Sequence, residues 1–242
     1  MFYCYMKKNM RKVVLIPVSN NRVEDLKFTL WSLSHTNDIY VCIIAHKLNS
    51  INKKKLNSFS NETCSIIYDE ISNNLSDVLN SAQNQFVDDV IFYRLDSGDI
   101  VHRDRFKILP NDENLLIAHS GVLKYENKFI VKRYKGFYMQ LVRNFLIHSS
   151  FIFIKANYSS KFKLAQDYNL SLKKILNKNF KFVDKILVCK PFSIYSNTIL
   201  KKNLGIQSVI NSKKENINKK FPIIFLSIII DKIKLFLWNL NH

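Results

Sequence analysis

Over the first hundred residues, short continuous apolar runs alternate with stretches in which apolar residues recur every three or four positions. The runs are Val13–Val18 (VVLIPV), Tyr40–Ala45 (YVCIIA), Cys64–Tyr68 (CSIIY) and Val90–Leu95 (VIFYRL). Runs of this length, apolar at successive positions, suit strands buried on both faces, as in a parallel sheet. Between them, Arg22–His35 carries Val23, Leu26, Leu30 and Leu33 at helical spacing, with Phe28 and Trp31 mixed in. Asn73–Phe86 repeats the pattern with Leu75, Val78, Leu79, Ala82 and Phe86, and Lys53–Phe59 reads as a basic, exposed helical turn or two. Alternating strands and helices predict an α/β fold, a Rossmann-like and mostly parallel central sheet with helices on both faces.

The second half is patterned differently. Leu115–Leu123 and Lys128–Tyr134 read as a pair of strands, Ser150–Ile154 as another, and Phe180–Cys189 as the last. Asp167–Leu176 reads as a helix with Leu170, Leu172, Ile175 and Leu176 apolar. No internal repeat is visible. Lys213–Lys220 (KKENINKK) is polar and reads as a linker. Phe221–Leu240 is the most apolar stretch, with Pro222 at a favourable first helical position and Ser227, Asp231 and Lys234 on one polar stripe, Lys232 beside it.

The length of 242 residues fits one large domain or two small ones. A hydrophobic content of 47% excludes a disordered chain, and four Gly and four Pro exclude collagen-like and low-complexity classes. Lys and Arg outnumber Asp and Glu by 37 to 19, a net charge of +18, so some face meets nucleic acid, lipid headgroups or a phosphorylated substrate. Cys4, Cys42, Cys64 and Cys189 form no CxxC pair and no zinc-finger spacing, a reducing-compartment pattern in which Cys42 and Cys64 read as core residues. Met1–Lys12 does not read as a secretory signal, because its charges follow the apolar stretch. His35, His46, His102, His119, His148 and His242 make no HxxxH pair, and GxGxxG, Walker A and GxSxG motifs are missing.

Candidate chemistry centres on Arg94-Leu95-Asp96-Ser97-Gly98-Asp99. Ligands of open α/β sheets bind at the carboxyl ends of strands, where Asp96 and Asp99 fall. Two carboxylates three residues apart on a turn can share a hard cation such as Mn2+ or Mg2+; the other reading is a polar turn that closes a strand. Asp167 is a second candidate, with an N-terminal helix cap as its other reading.

Four segments, in order, resemble family 2 glycosyltransferases of the GT-A fold, particularly the small bacterial enzymes of surface-polysaccharide assembly. They are Val13–Asn20 (VVLIPVSN), Arg94–Asp99 (RLDSGD) with Asp104-Arg105 beyond it, Asn144–Phe153 (NFLIHSSFIF) and Ala165–Leu172 (AQDYNLSL). Ser19 replaces the family's usual Tyr, Gly98 replaces an Asp of its metal-binding pattern, and Ala45-His46-Lys47 stands where the second strand usually ends in Asp-Asp. The resemblance implies an inverting transfer of a sugar, of hexosyltransferase type, from a nucleotide-diphosphate sugar to an acceptor hydroxyl, in lipopolysaccharide O-antigen or capsule biosynthesis. It implies that Asp167 is the base, that Asp99 with Asp96 holds Mn2+ or Mg2+, and that Pro17, Val18, Ser19, Asn20, His46, Arg94 and Asp96 serve the donor. His148 and Ser149 would then sit near the acceptor, or form a structural turn before a strand.

These expectations divide the chain into a catalytic domain over 1–196, with a nucleotide-sugar half at 13–110 and an acceptor half at 111–196, followed by a linker and amphipathic helix over 197–242. Asp231, Lys232 and Lys234 weigh against a membrane span over Phe221–Leu240, since each costs about 2.5–3.5 kcal/mol at a bilayer centre. A helix in the interface fits better, its polar stripe outward and Lys213, Lys214, Lys219 and Lys220 beside it. This implies a cytoplasmic enzyme peripheral to the inner face of the membrane, with a lipid-linked or saccharide acceptor. The other reading of that helix is a core or homodimer contact. Two further classes remain open: a degenerate transferase-like domain that binds without turnover, and a basic nucleic-acid-binding protein. Lys53-Lys54-Lys55 favours the latter, but no nucleic-acid-binding motif accompanies it.

Overall fold

Strands that are apolar at every position need cover on both sides, and the first half of the chain supplies it. The structure is a computed structural model and describes residues 10–87, 89–125, 128–142, 144–162, 164–191, 202–216 and 222–240. The expectations for Met1–Asn9, Cys4, Lys219, Lys220, His242 and the boundary at 196/197 lie outside these residues. Strands β1 (Arg11–Val18), β2 (Ile39–His46), β3 (Cys64–Asp69) and β4 (Val90–Arg94) run parallel in the order β3-β2-β1-β4. Successive residues point to opposite faces. Val14, Ile16, Ile43, Ala45, Ile91 and Tyr93 meet Leu26 and Leu33 of α1 (Leu26–Leu33) and Leu56 of α2 (Ser50–Asn57). Val13, Leu15, Cys42, Ile44 and Phe92 meet Val78, Leu79 and Ala82 of α3 (Leu75–Asn84). Asn49 and Asn74 cap α2 and α3 through their side chains. The single helix expected over Arg22–His35 is instead a 3-10 turn, Asn20–Arg22, followed by α1, with Phe28 and Trp31 on its exposed side.

The second half continues the sheet with β5 (Ile100–Val101), β6 (Leu116–Tyr125), β7 (Lys128–Lys132), β8 (Ile152–Phe153) and β9 (Phe180–Pro191). The order is β4-β8-β6-β9-β5, with β7 on β6. β8 is antiparallel to β4 and β6, β7 to β6 and β5 to β9, while β6 and β9 are parallel. The sheet is therefore mixed rather than mostly parallel, because a connection as short as that between β6 and β7 joins antiparallel neighbours only. The strand expected over Ser150–Ile154 is just the two residues of β8, preceded by a 3-10 turn at His148–Ser150.

Four helices form a separate layer: α4 (Phe137–Val142), α5 (Gln166–Leu176), α6 (Lys202–Glu215) and α7 (Pro222–Leu240). Their core holds Leu141, Tyr168, Leu172, Ile210, Ile224 and Ile228. The linker expected from Lys213 onward begins later than that, since Lys213 belongs to α6 and is fully buried. Its ammonium donates to Ser227 Oγ at 2.5 Å and to the Asp231 carboxylate. Ser227 Oγ in turn donates to the Leu141 carbonyl at 2.8 Å. Ser227 and Asp231 of the α7 polar stripe therefore face inward, opposite to the sequence expectation, because a buried partner for them arrives from α6, while Lys234 stays exposed. Phe225, Leu226, Ile229, Ile233 and Phe236 face outward.

Candidate functional site

Parallel strands bring their carboxyl ends to one edge, and the first loop there is knitted by one side chain. Asn20 Oδ1 accepts from the Asn49 N–H at 2.9 Å and from Asn52 Nδ2 at 3.0 Å, and Asn20 Nδ2 donates to the Lys47 carbonyl at 3.2 Å. Asn20 thus ties the end of β1 to the end of β2. Ser19 and Asn20 are exposed and Pro17 is half-buried, but Val18 is 2% exposed and belongs to the core. His46 ends β2 opposite Asp69, with Nδ1 3.9 Å from Asp69 Oδ1. Burial pushes the Asp69 carboxyl up, but bonds from Ser72 and Ile71 and the nearby His46 outweigh it and hold it below its ordinary value.

The Asp96–Asp99 turn has a fixed shape. The Asp99 N–H donates to the Asp96 carbonyl at 3.0 Å, and Gly98 takes φ +91°, the left-handed region that glycine enters at little cost. Thr29 Oγ1 accepts the Gly98 N–H at 2.8 Å and donates to the Asp99 carbonyl at 2.9 Å. Arg22 covers the turn: its guanidinium bonds the Ser97 carbonyl, and a Cβ on Gly98 would lie 2.6 Å from Arg22 Nη2. An Asp here, as in the family pattern, would be strained at this φ and would push the Arg22 guanidinium aside.

Around this turn the structure gathers most of the predicted site. Arg94, 1% exposed, reaches Asp96 Oδ1 through Nε at 3.1 Å and Nη2 at 2.9 Å, and Asp167 Oδ1 through Nη1 at 3.4 Å. Ser149 Oγ accepts the Asp96 N–H at 2.9 Å and donates to Asp99 Oδ2 at 2.5 Å. Ser149 is fully buried and links the Asp96 backbone to the Asp99 carboxylate. His148 Nδ1 lies 3.2 Å from Asp167 Oδ2 and 3.8 Å from Asp96 Oδ2, with the imidazole 37% exposed. Asp167 sits in the first turn of α5, where the helix dipole favours negative charge. It is not the cap, which is Ala165, and its carboxylate is 1% exposed behind His148. Tyr168 and Asn169, bonded to the Leu141 carbonyl and to Ser212 Oγ, anchor that turn to the helical layer. Arg105 is fully buried and ties β4 to the chain before β8 through the Arg94 and Phe151 carbonyls, so it is a strut of the sheet.

Lys190, in β9, is the residue that sequence reasoning missed. Its Nζ lies 2.8 Å from Asp96 Oδ2 and 3.6 Å from Asp99 Oδ2. The sequence signal is faint: a lysine just after an apolar run, one among 37 Lys and Arg. Burial pushes the Asp96 carboxyl up, but Lys190, then Arg94 and His148, hold it well below the usual carboxylate range. Burial wins at Asp99, which is pushed up to about 6 although Lys190 opposes it. Burial works against the Lys190 ammonium, yet Asp96 and then Asp99 raise it above its ordinary value.

A divalent ion on Asp99 and Asp96 finds only part of what it needs in these residues. Asp99 Oδ1 is buried without a hydrogen bond, an atom that a cation would satisfy. The rest of the donor set does not fit. Asp96 Oδ1 is held twice by Arg94, Asp99 Oδ2 is bonded by Ser149, and the Lys190 ammonium lies 2.8 Å from Asp96 Oδ2 and 3.6 Å from Asp99 Oδ2. An ion at a coordination distance of about 2.1 Å from these oxygens would abut a like charge. Among the described residues, no group of three or more His, Cys, Asp and Glu can hold a metal.

No protein-family model and no curated protein matches the sequence. Solved structures do match. S. aureus TarS 1-349 in complex with UDP is 13% identical with a TM-score of 0.63, over 89% of this chain and 70% of that one. The mannosyltransferase PcManGT from Pyrobaculum calidifontis in complex with GDP-Man and Mn2+ is 13% identical with a TM-score of 0.61, over 90% and 69%. GalNAc-T7 with UDP, GalNAc and Mn2+ is 11% identical with a TM-score of 0.64, over 87% of this chain and 48% of that one. With the curled mixed sheet, the helices on its faces and the acidic turn after β4, these likenesses establish that the chain has the GT-A fold of glycosyltransferases.

Proposed function

We propose that the protein is an inverting glycosyltransferase that moves a sugar from a nucleotide-diphosphate sugar to an acceptor hydroxyl. The observation that carries this reading is the joining of Asp96, Asp99 and Asp167 by Arg94, Lys190 and His148 at the strand ends of a GT-A fold. In this reading Ser19, Asn20 and His46 border the nucleotide, and Arg94 and Asp96 shape the diphosphate side. The acceptor oxygen bonds to the anomeric carbon as the bond from that carbon to the diphosphate oxygen breaks. The electron pair leaves with the nucleoside diphosphate. The acceptor proton passes to the Asp167–His148 pair, of which the imidazole is the member that solvent reaches. A single displacement with the base opposite the leaving group inverts the carbon.

The outward face of α7 supports a membrane-bound acceptor. Phe225, Leu226, Ile229, Ile233 and Phe236 form an exposed apolar stripe, with Lys232 and Lys234 exposed on the same helix and Lys214 on α6. Among the described residues no helix is long and apolar enough to cross a membrane. An amphipathic face with basic neighbours suits the surface of an anionic bilayer. The resemblance of the four segments supports a lipid-linked acceptor in bacterial surface-polysaccharide assembly. The reading is tested by a thermal-shift panel of nucleoside diphosphates, followed by a transfer assay on Asp167→Asn and His148→Asn. Stabilisation by one diphosphate is expected, with both variants still binding it but losing roughly 10²–10⁴ in transfer rate. Absence of stabilisation by every diphosphate, or full activity of Asp167→Asn, overturns it.

A further inference from the structure

The glycosyltransferase reading requires positive charge where the diphosphate departs, and the residues beside Asp96 and Asp99 do not fit a metal ion. We propose that Lys190 supplies that charge: its ammonium stands in the place of a divalent cation, so the protein binds its nucleotide donor without a metal. This inference rests on the glycosyltransferase reading.

The sheet register puts the lysine there. Ile100 pairs with Cys189 and Val101 with Val188 in antiparallel β5 and β9, so the next pair toward the site is Asp99 and Lys190. Pairing of β9 with β6 sets Lys190 beside Leu123 and fixes the strand from its other side. The ammonium therefore reaches both carboxylates from a rigid strand rather than a loop. It is 28% exposed while Asp99 is fully buried, so it forms the solvent side of the pair. An ammonium has three donors, and two suffice for Asp96 Oδ2 and Asp99 Oδ2, leaving one for a ligand oxygen. Arg22, lying over Gly98 where the family pattern has a carboxylate, brings a second positive charge to the same turn. A turn built for a metal gathers negative charge; this turn has Gly98 where the family pattern has an acid, and Arg22 and Lys190 stand around it. When the donor reacts, the bond from the anomeric carbon to the diphosphate breaks with its electrons on the diphosphate. Lys190 meets that charge as a hydrogen-bond donor and keeps its proton.

The test is calorimetric titration of UDP, GDP, ADP and dTDP into the full chain, in EDTA and in Mn2+. For the diphosphate that binds, the wild type is expected to give the same dissociation constant in both buffers. Lys190→Ala is expected to weaken binding in EDTA by about ten- to a hundredfold, the worth of one charge-assisted hydrogen bond, with Mn2+ restoring part of it and Lys190→Arg keeping most of it. Circular dichroism checks that the variants are folded, and the wild-type arm needs no variant. Wild-type binding that collapses in EDTA, or unweakened binding by Lys190→Ala, overturns the role of Lys190 and leaves the glycosyltransferase reading standing. Absence of binding by all four diphosphates in both buffers overturns the two together.

Discussion

Lys213 and Lys190 each lie against a carboxylate, and they do different things. Lys213 joins α6 to α7: it is fully buried, its partner Asp231 has a side chain 7% exposed, and Ser227 takes a further donor. Lys190 joins the strand ends: it is 28% exposed, it faces Asp96 and Asp99 together, and one of those acids is pushed up to about 6 by its burial. The first pair is closed, with each partner satisfied by the other and by neighbours. The second is open on one side and carries one carboxylate oxygen, Asp99 Oδ1, with no partner. A closed pair fixes geometry, because removing either member leaves a charge in a low-dielectric interior. An open one leaves charge available to a ligand.

The comparison breaks first at Asp231. Asp231→Ala leaves Lys213 buried without its acid, at a cost of about 3–5 kcal/mol. In a chain of this size that lowers the melting temperature by roughly 10 °C, read by calorimetry. The double substitution Lys213→Met, Asp231→Leu is expected to stay within about 1 kcal/mol of wild type, since an apolar pair needs no partner. A single variant as stable as wild type shows the pair not to hold the helices.

A buried base with no acid sharpens the contrast next. His119, on β6, is 1% exposed, and burial, then Arg105, push its imidazole down to about 3. The folded protein keeps it neutral while the unfolded chain protonates it near its ordinary value of about 6.5. Stability from this group is therefore complete above about pH 6.5 and is lost as pH falls toward about 3, at about 1.4 kcal/mol per pH unit. His119→Gln is expected to flatten the pH dependence of the melting temperature in that window. An unchanged slope removes His119 as the cause.

Lys190→Ala should do much less to stability than Asp231→Ala. Asp99, already raised by burial, takes up a proton instead of standing as an unpaired charge, so the change is expected within about 1 kcal/mol while nucleotide binding falls. A melting temperature that drops as far as in Asp231→Ala makes the two lysines equivalent. The smallest stability effect is expected at the outward face of α7. Phe225→Ser with Phe236→Ser removes exposed rings, for a change within about 0.5 kcal/mol. Sedimentation with anionic vesicles is expected to lose most of the bound protein in that variant, and unaltered vesicle binding rules the face out as the lipid contact.

The half of the molecule that was legible is the half whose order is local. β1, β2 and β4 announce themselves as apolar runs because both of their faces are buried, and α3 because one stripe of it is. The turn at Asp96–Asp99 was legible too, since turn residues after an apolar run mark a strand end. β8 was expected but drawn too long, over Ser150–Ile154, and β5 was missed, because two residues carry no period. The inward turn of Ser227 and Asp231 in α7 was hidden for a related reason: both read as solvent-facing until Lys213 is known to lie against them.

Local pattern settled the strand–helix alternation over 13–95, and with Arg94, Asp96, Asp99, His148 and Asp167 the sequence named most of the side chains that meet at the strand ends. Local pattern suffices there, because periodicity and turn chemistry act over a few residues. Long-range packing settled that Lys190 stands against Asp96 and Asp99, that Asp167 lies behind His148, and that α7 buries Ser227 and Asp231 while leaving Phe225 and Phe236 outward. Each depends on a pairing between residues far apart in the chain, set by sheet register or helix packing. A charge on a strand looks the same in sequence whether it faces water or an acid.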